Sequence, residues 1–254
     1  MIKKFEFKEL DPLFQKITQA IVKGCGPDFQ DSLSINKDET RNASKFIRGD
    51  KINTNLRNYV TSDTVELWPF MRSSWEGRLL IDRVHKITIT ICTKRTFMNI
   101  KRSNHERPHY LMSLVHVENS NVSPQFEPIS LFSESEKFSD DDYREDYRKI
   151  MGSEVLAEDG YHHLVVVYER SNLDVTFVAA ILIDKNLSPV AEYPFDKFLK
   201  PDFNDLTAES IEEDKAQNDI HSLVKVKTRI MENEDDGKKA GLVTPKKERE
   251  EKWV

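Results

Sequence analysis

Three groups of residues in this chain have side-chain types and spacings that could do chemistry. His105-Glu-Arg-Pro-His109 satisfies the H-E-x-x-H pattern of zinc hydrolysis. That chemistry needs both imidazoles on one helical face, with the glutamate beside a metal-bound water. Pro108 lies inside the span and disfavours helix at Arg107, so the two rings are not held in that register. No third ligand follows at a suitable spacing, and no metal site is expected. A second group suggests metal-dependent nuclease chemistry, which places an acid on one strand and an acid and a lysine two residues apart on the next. Asp82 and Lys94 flank a pair of strand-like runs, and Glu76 lies nearby. The residue two before Lys94 is Cys92, which does not replace a metal-binding carboxylate. A divergent nuclease is therefore an alternative with an incomplete pattern.

The third group is electrostatic. Residues 83–107 hold seven basic side chains and one acid, Glu106. Arg83, Lys86, Lys94, Arg95, Lys101, Arg102 and Arg107 could neutralise phosphates and release counterions. Phe97 lies among them, with Tyr110 after and Trp75 before, and such rings could stack unpaired bases. These seven cations and Phe97 form the expected nucleic-acid contact set, for DNA or RNA. The competing reading is that this basic surface docks the chain's own acidic segments, 134–146 or 192–219, or those of a second copy.

Other catalytic signatures are weak. There is no G-x-S-x-G turn and no Cys/His nucleophile pattern. Gly24 and Gly26 follow a helix-like run, whereas a phosphate-binding turn follows a strand. His162 and His163 open a strand-like run, so their rings point to opposite faces. No cofactor is implied.

The elements that would position these groups follow from periodicity. Asp11-Pro12 followed by Leu13, Phe14, Ile17, Ala20 and Ile21 predicts a helix capped by Asp11, with Pro12 in its first turn. Residues 27–49 have loop-like composition, and Asp50 is placed to cap a second helix whose Asn53, Asn55, Arg57 and Asn58 side faces solvent. Residues 64–93 predict three strands, the last with Ile87, Ile89 and Ile91 alternating with Thr88, Thr90 and Cys92. Asp82–Lys86 is short enough to close an antiparallel hairpin. A helix follows Pro108. Residues 118–160 are an acidic excursion with one short helix near Tyr143–Met151. Two strong strands come next, Tyr161–Glu169 and Leu173–Asp184, joined at Ser171-Asn172. The second is apolar on both faces, as a covered central strand would be.

Composition bounds the rest. The chain has 254 residues, a net charge of −6, 38% hydrophobic residues and 32% charged ones. Residues 1–130 hold 20 Lys/Arg and 15 Asp/Glu, while residues 131–254 hold 18 and 29. The charge is thus split between halves, an asymmetry that speaks to partners. No apolar run is long enough for a membrane span. Two cysteines, Cys25 and Cys92, offer no disulfide framework, and a reducing cytoplasm is the expected compartment.

Several phrases together carry a resemblance. They are Pro27-Asp-Phe-Gln-Asp31, Lys51-Ile-Asn-Thr-Asn-Leu-Arg57, Trp75 leading into the paired strands, His109-Tyr-Leu-Met-Ser-Leu114, Ile129-Ser-Leu-Phe132 and Leu182-Ile-Asp-Lys-Asn-Leu187. Over roughly residues 10–200 the chain is similar to an uncharacterised family of bacterial and phage proteins of unknown function. The resemblance implies a bacterial or phage cytoplasmic setting, where phage–host conflict is a natural context. It transfers no catalytic residues.

The expected fold is α+β, a largely antiparallel sheet of five or more strands with helices on one face. It would occupy residues 1–200, followed by an acidic helical extension at 201–231 and a disordered tail at 232–254. The expected function is a nucleic-acid-binding accessory protein of anti-phage defence or its phage-encoded counterpart, binding through the basic hairpin. The alternative is a protein-interaction module, such as an inhibitor, an antitoxin-like partner or an assembly subunit that pairs with copies of itself, working through the acidic segments.

Overall fold

Apolar residues three and four apart start the structure, which is a computed structural model describing residues 6–35, 39–40, 42–72, 74–100, 106–123 and 138–199. Phe14, Ile17, Ala20 and Ile21 line the buried side of α1 (Asp11–Cys25). Pro12 sits in the first turn, as the fixed φ of proline favours. Asp11 does not cap this helix. Its carboxylate instead accepts from the Tyr193 hydroxyl at 2.8 Å and from Lys197 Nζ at 2.5 Å, fastening the helix start to the last described strand. Desolvation opposes the charge, but these two bonds hold the Asp11 carboxyl below its ordinary value.

Two helices replace the loop expected over 27–49. α2 (Pro27–Ile35) again starts on a proline and buries Phe29 and Ser32. α3 (Ser44–Asn55) begins well before Asp50, which is a mid-helix residue and not a cap. Asn55 leaves its expected solvated face. It is buried and donates to Asp28 Oδ2 at 2.6 Å, joining α3 to α2. A π-helical turn, Leu56–Val60, closes this layer.

Six strands follow in a sheet whose spatial order is the sequence order. They are β1 (Val65–Arg72), β2 (Trp75–Asp82), β3 (Ile87–Thr93), β4 (His162–Ser171), β5 (Asp174–Ile183) and β6 (Pro189–Pro194). Every neighbouring pair is antiparallel except β3 and β4, which run parallel. A parallel pair needs a long crossover, and here it carries α4 (Lys94–Ile100), α5 (Tyr110–Glu118) and α6 (Asp140–Met151). The last strand, β6, is not among the expected strands and runs into the acidic segment 192–219. Both edges contain prolines, Pro69 in β1 and Pro189 and Pro194 in β6, where no ladder donor is needed on the outer side.

The α+β class and the largely antiparallel sheet hold, but the helices cover both faces. Strand residues alternate between faces, and the two sets meet different helices. Leu80, Ile89, Val166 and Ala180 pack with Phe14, Ile17 and Ile52 of α1 and α3. Leu79 and Ile81 pack with Leu114, Tyr147 and Ile150 of α5 and α6. Val165, Val167 and Ala179 pack with Phe97 and Ile100 of α4 and Leu111 of α5. Within the acidic excursion, α6 therefore packs on the sheet instead of standing away from it. Residues 201–231 and 232–254 lie outside the described residues.

Asp82 closes the β2–β3 turn. Its Oδ1 accepts from the backbone N–H of Val84 at 2.9 Å and of His85 at 3.1 Å, and its Oδ2 meets His85 Nδ1 at 2.7 Å. The carboxylate is buried. Asp82→Ala should therefore cost about 1–3 kcal/mol, the range for orphaned buried partners. Urea unfolding would show it as a lower midpoint at unchanged slope, and an unchanged midpoint would deny the turn this anchor.

Candidate functional site

The sheet separates the expected contact set into two ends. Asp82 pairs with Ile87 at the turn, so β3 starts at this near end and finishes with β4 at the far end. The seven residues of β3, at about 3.3 Å each, put the ends roughly 20 Å apart. Arg83 and Lys86 stay at the near end, while Lys94 and Arg95 open α4 at the far one.

The near-end cations are spent within the chain. Arg83 Nη2 bonds Glu66 Oε2 at 3.0 Å and Glu154 Oε2 at 2.7 Å, and its Nη1 donates to the Glu154 carbonyl at 2.8 Å. Burial opposes its charge, yet these carboxylates raise the guanidinium above its ordinary value. Lys86 Nζ donates to the Asp159 carbonyl at 3.0 Å. Arg83 and Lys86 thus lie apart from Lys94 and Arg95, and Phe97 is not placed to stack on a base. The Phe97 ring is buried in the core beneath α4. Lys101 and Arg102 lie outside the described residues, and Arg107 is exposed ahead of α5.

At the far end the cations differ in what they meet. Lys94 Nζ bonds Glu169 Oε1 at 2.8 Å and lies 4.7 Å from the Phe177 ring centroid. Arg72 Nη1 bonds Asp146 Oδ2 at 2.7 Å, so a carboxylate of the acidic segment 134–146 does return to a cation, though to one outside 83–107. Arg95 is exposed and forms no ion pair among the described residues. Two arginines that the charge run did not single out share this end. Arg48 comes from α3, and Arg170 ends β4 at a bulge between Glu169 and Arg170. Desolvation and then the charge of Arg170 lower the guanidinium of Arg48. Trp75, exposed at the start of β2, rests against Phe70 and Tyr110, with ring centroids 5.7 and 5.4 Å away. The sequence carried a faint sign of Arg48, whose three-residue spacing to Lys51 is a helical ridge. Reading 27–49 as loop concealed it.

The enzyme patterns do not assemble. Asp82 is used by the near turn, Lys94 by Glu169, and Glu76 by Arg78 at 2.7 Å. His109 caps α5, its Nδ1 accepting from Leu111 N–H at 3.2 Å, while His105 lies outside the described residues. Among the described residues no group of three or more His, Cys, Asp or Glu is arranged to hold a metal. Nor is any helix there long and apolar enough to cross a membrane.

One polar cluster is sealed between the sheet and α5–α6. The Thr88 hydroxyl donates to Glu118 Oε2, and its oxygen meets His163 Nδ1 at 2.6 Å. Thr90 Oγ1 meets His163 Nε2 at 3.0 Å, and the Tyr147 hydroxyl donates to Glu118 Oε1 at 3.0 Å. If Thr88 donates to Glu118, it must accept from Nδ1–H, which leaves Nε2 to accept from Thr90. Asn119 completes the cluster, donating to the carbonyls of His163 and Ile183 and accepting the His163 N–H. Burial raises Glu118 to about 7 and lowers His163 to about 3. Perturbed groups of this kind mark active sites when they line a cleft. These are 6% and 0% exposed, and the cluster joins strands to helix away from solvent.

No curated protein and no solved structure matches the chain. A family model described as a family of unknown function (DUF5986) matches residues 10–245. The match spans the sheet and both helical layers, and the chain belongs to that family.

Proposed function

We propose that the chain is a nucleic-acid-binding protein whose contact surface is the far end of the sheet and not the β2–β3 hairpin. The supporting observation is the sorting of cations. Arg83 and Lys94 are paired with carboxylates, whereas Arg48, Arg95 and Arg170 reach one end of the sheet from three elements with no carboxylate partner among the described residues. Unpaired guanidiniums cost self-repulsion and are suited to phosphate. Trp75, 44% exposed at the same end, offers a face to an unpaired base. In the bacterial or phage setting that the sequence resemblance implies, such binding would serve phage–host conflict.

Salt-titrated binding to a labelled oligothymidylate and to duplex DNA tests this reading. Two or three phosphate contacts on a single strand predict a log–log salt slope of about −1.4 to −2. Arg95→Gln should flatten that slope by about 0.7, one contact's share. Arg83→Gln, at the other end, should leave it unchanged. Absence of binding at about 50 mM salt, where the phosphate contribution is strong, would end the proposal. So would equal losses in the two variants.

A further inference from the structure

Arg48 and Arg170 lie near enough for the charge of one to act on the guanidinium of the other. The carboxyl end of α1 brings them together. Gly24 packs so tightly on α3 that a Cβ there would lie 2.8 Å from the Ile52 backbone nitrogen. At Gly26 the added atom would lie 3.7 Å from the Leu173 carbonyl, in the β4–β5 turn. Arg48 precedes Ile52 by about one helical turn, and Arg170 precedes that strand turn. Both guanidiniums therefore flank the end of α1, beside Cys25 and Tyr168.

Each is held in position without being neutralised. The Arg48 guanidinium stacks 3.5 Å from the centroid of the buried Phe29 ring, which fixes its plane. Its Nε is buried and has no hydrogen-bond partner. Arg170 Nη1 donates to the Asn172 carbonyl at 2.9 Å, which orients the group but leaves its charge uncompensated. Asn172 itself adopts φ 56°, a tight-turn conformation that brings its carbonyl back to Arg170. Like charges held this way repel, and a buried donor without an acceptor is costly. One bound anion with several acceptor oxygens offsets that repulsion.

We infer that Arg48 and Arg170 form a subsite that holds one phosphate group between them at the end of α1. The inference rests on the reading of the far end as the binding surface, and narrows it to a defined pair. A phosphate presents oxygens to both forks, and aromatic stacking of one guanidinium suits a planar, weakly hydrated cation better than an ammonium. The phosphate could come from a nucleic-acid backbone or arrive free, and the two sources separate experimentally.

The experiment uses the full chain, the Arg48→Met/Arg170→Met double variant and Arg48→Lys. Thermal unfolding is followed with inorganic phosphate against chloride at equal ionic strength, and a hydroxyl-terminated oligothymidylate is titrated at several salt concentrations. Phosphate is expected to raise the wild-type Tm by a few degrees, leaving the double variant unmoved. Arg48→Lys should lose most of that rise although its charge is kept. Oligothymidylate affinity should fall about tenfold in the double variant, with the salt slope flatter by about 0.7. Equal phosphate responses in wild type and double variant would overturn the subsite, whereas measurable but equal oligonucleotide affinity and slope would overturn a nucleic-acid backbone as the source of its phosphate. If phosphate protects only the wild type but no oligonucleotide binds, the subsite stands for a free phosphate and the nucleic-acid reading fails.

Discussion

Glu118→Gln is expected to make the protein's stability rise with pH more steeply than that of the wild type between about pH 4.5 and 6.5. The reason lies in two opposed titrations inside one sealed cluster. Burial raises the folded Glu118 carboxyl from 4.5 to about 7, so between those values the folded chain holds a proton that the unfolded chain has released. Stability from this group falls as pH rises through that window. Burial lowers folded His163 from 6.5 to about 3, so there the unfolded chain holds the extra proton and stability rises with pH. The windows overlap from about pH 4.5 to 6.5, with slopes of opposite sign and up to about 1.4 kcal/mol per pH unit each. In the wild type they cancel. Glu118→Gln leaves the histidine alone, and urea midpoints should climb through that interval. His163→Asn leaves the glutamate alone, and its midpoints should fall. A Glu118→Gln profile parallel to the wild type would refute the cancellation, even if His163→Asn does not fold.

The second large effect is steric and turns on a matched pair of helical glycines. Gly24 lies in α1 against α3, where a Cβ would stand 2.8 Å from both the backbone nitrogen and Cγ1 of Ile52. Alanine gains up to about 1 kcal/mol over glycine in a helix. Backbone cannot yield as a side-chain tip does, so the clash should win, leaving Gly24→Ala about 1–3 kcal/mol less stable. Gly24→Leu would have to separate the helices and should exceed that loss. Gly49, inside α3, meets nothing within 4 Å of an added Cβ. Gly49→Ala should therefore stabilise by about 0.5–1 kcal/mol. Denaturant midpoints decide the matter. A Gly24→Ala protein as stable as the wild type would mean that α1 and α3 do not meet as closely as the structure has them.

Gly24 also shows how far local pattern reaches. As a residue that ends a helix-like run it is legible as a stop signal, yet α1 continues through it to Cys25 because α3 needs that bare surface. Asp82 is similar. Its place before a short turn was plain, but its capping of Val84 and His85 removes it from the metal chemistry its spacing suggested. Phe97 looked like an aromatic offered among cations. α4 winds it inward onto Val165 and Val167, residues nearly seventy positions later. The candidate anion site was the least legible feature, since Arg48 and Arg170 are separated by most of the described chain.

The amino-acid order alone determined five of the six strands among the described residues, because alternation of isoleucine with threonine in β3, and apolar residues on both faces of β5, record burial with a period of two. It determined α1 by the three-and-four spacing of Phe14, Ile17 and Ile21, and the two reversals at Asp82–Lys86 and Ser171-Asn172. Tertiary structure alone decided that helices cover both faces, that β3 and β4 run parallel, and that the cations of 83–107 part company. Periodicity reports how deeply a residue is buried, not against what. The partner of Arg83, Glu154, lies 71 residues away and is brought to it only when the sheet register is set. Charge along the chain is additive, but charge on a surface depends on which carboxylates the fold delivers.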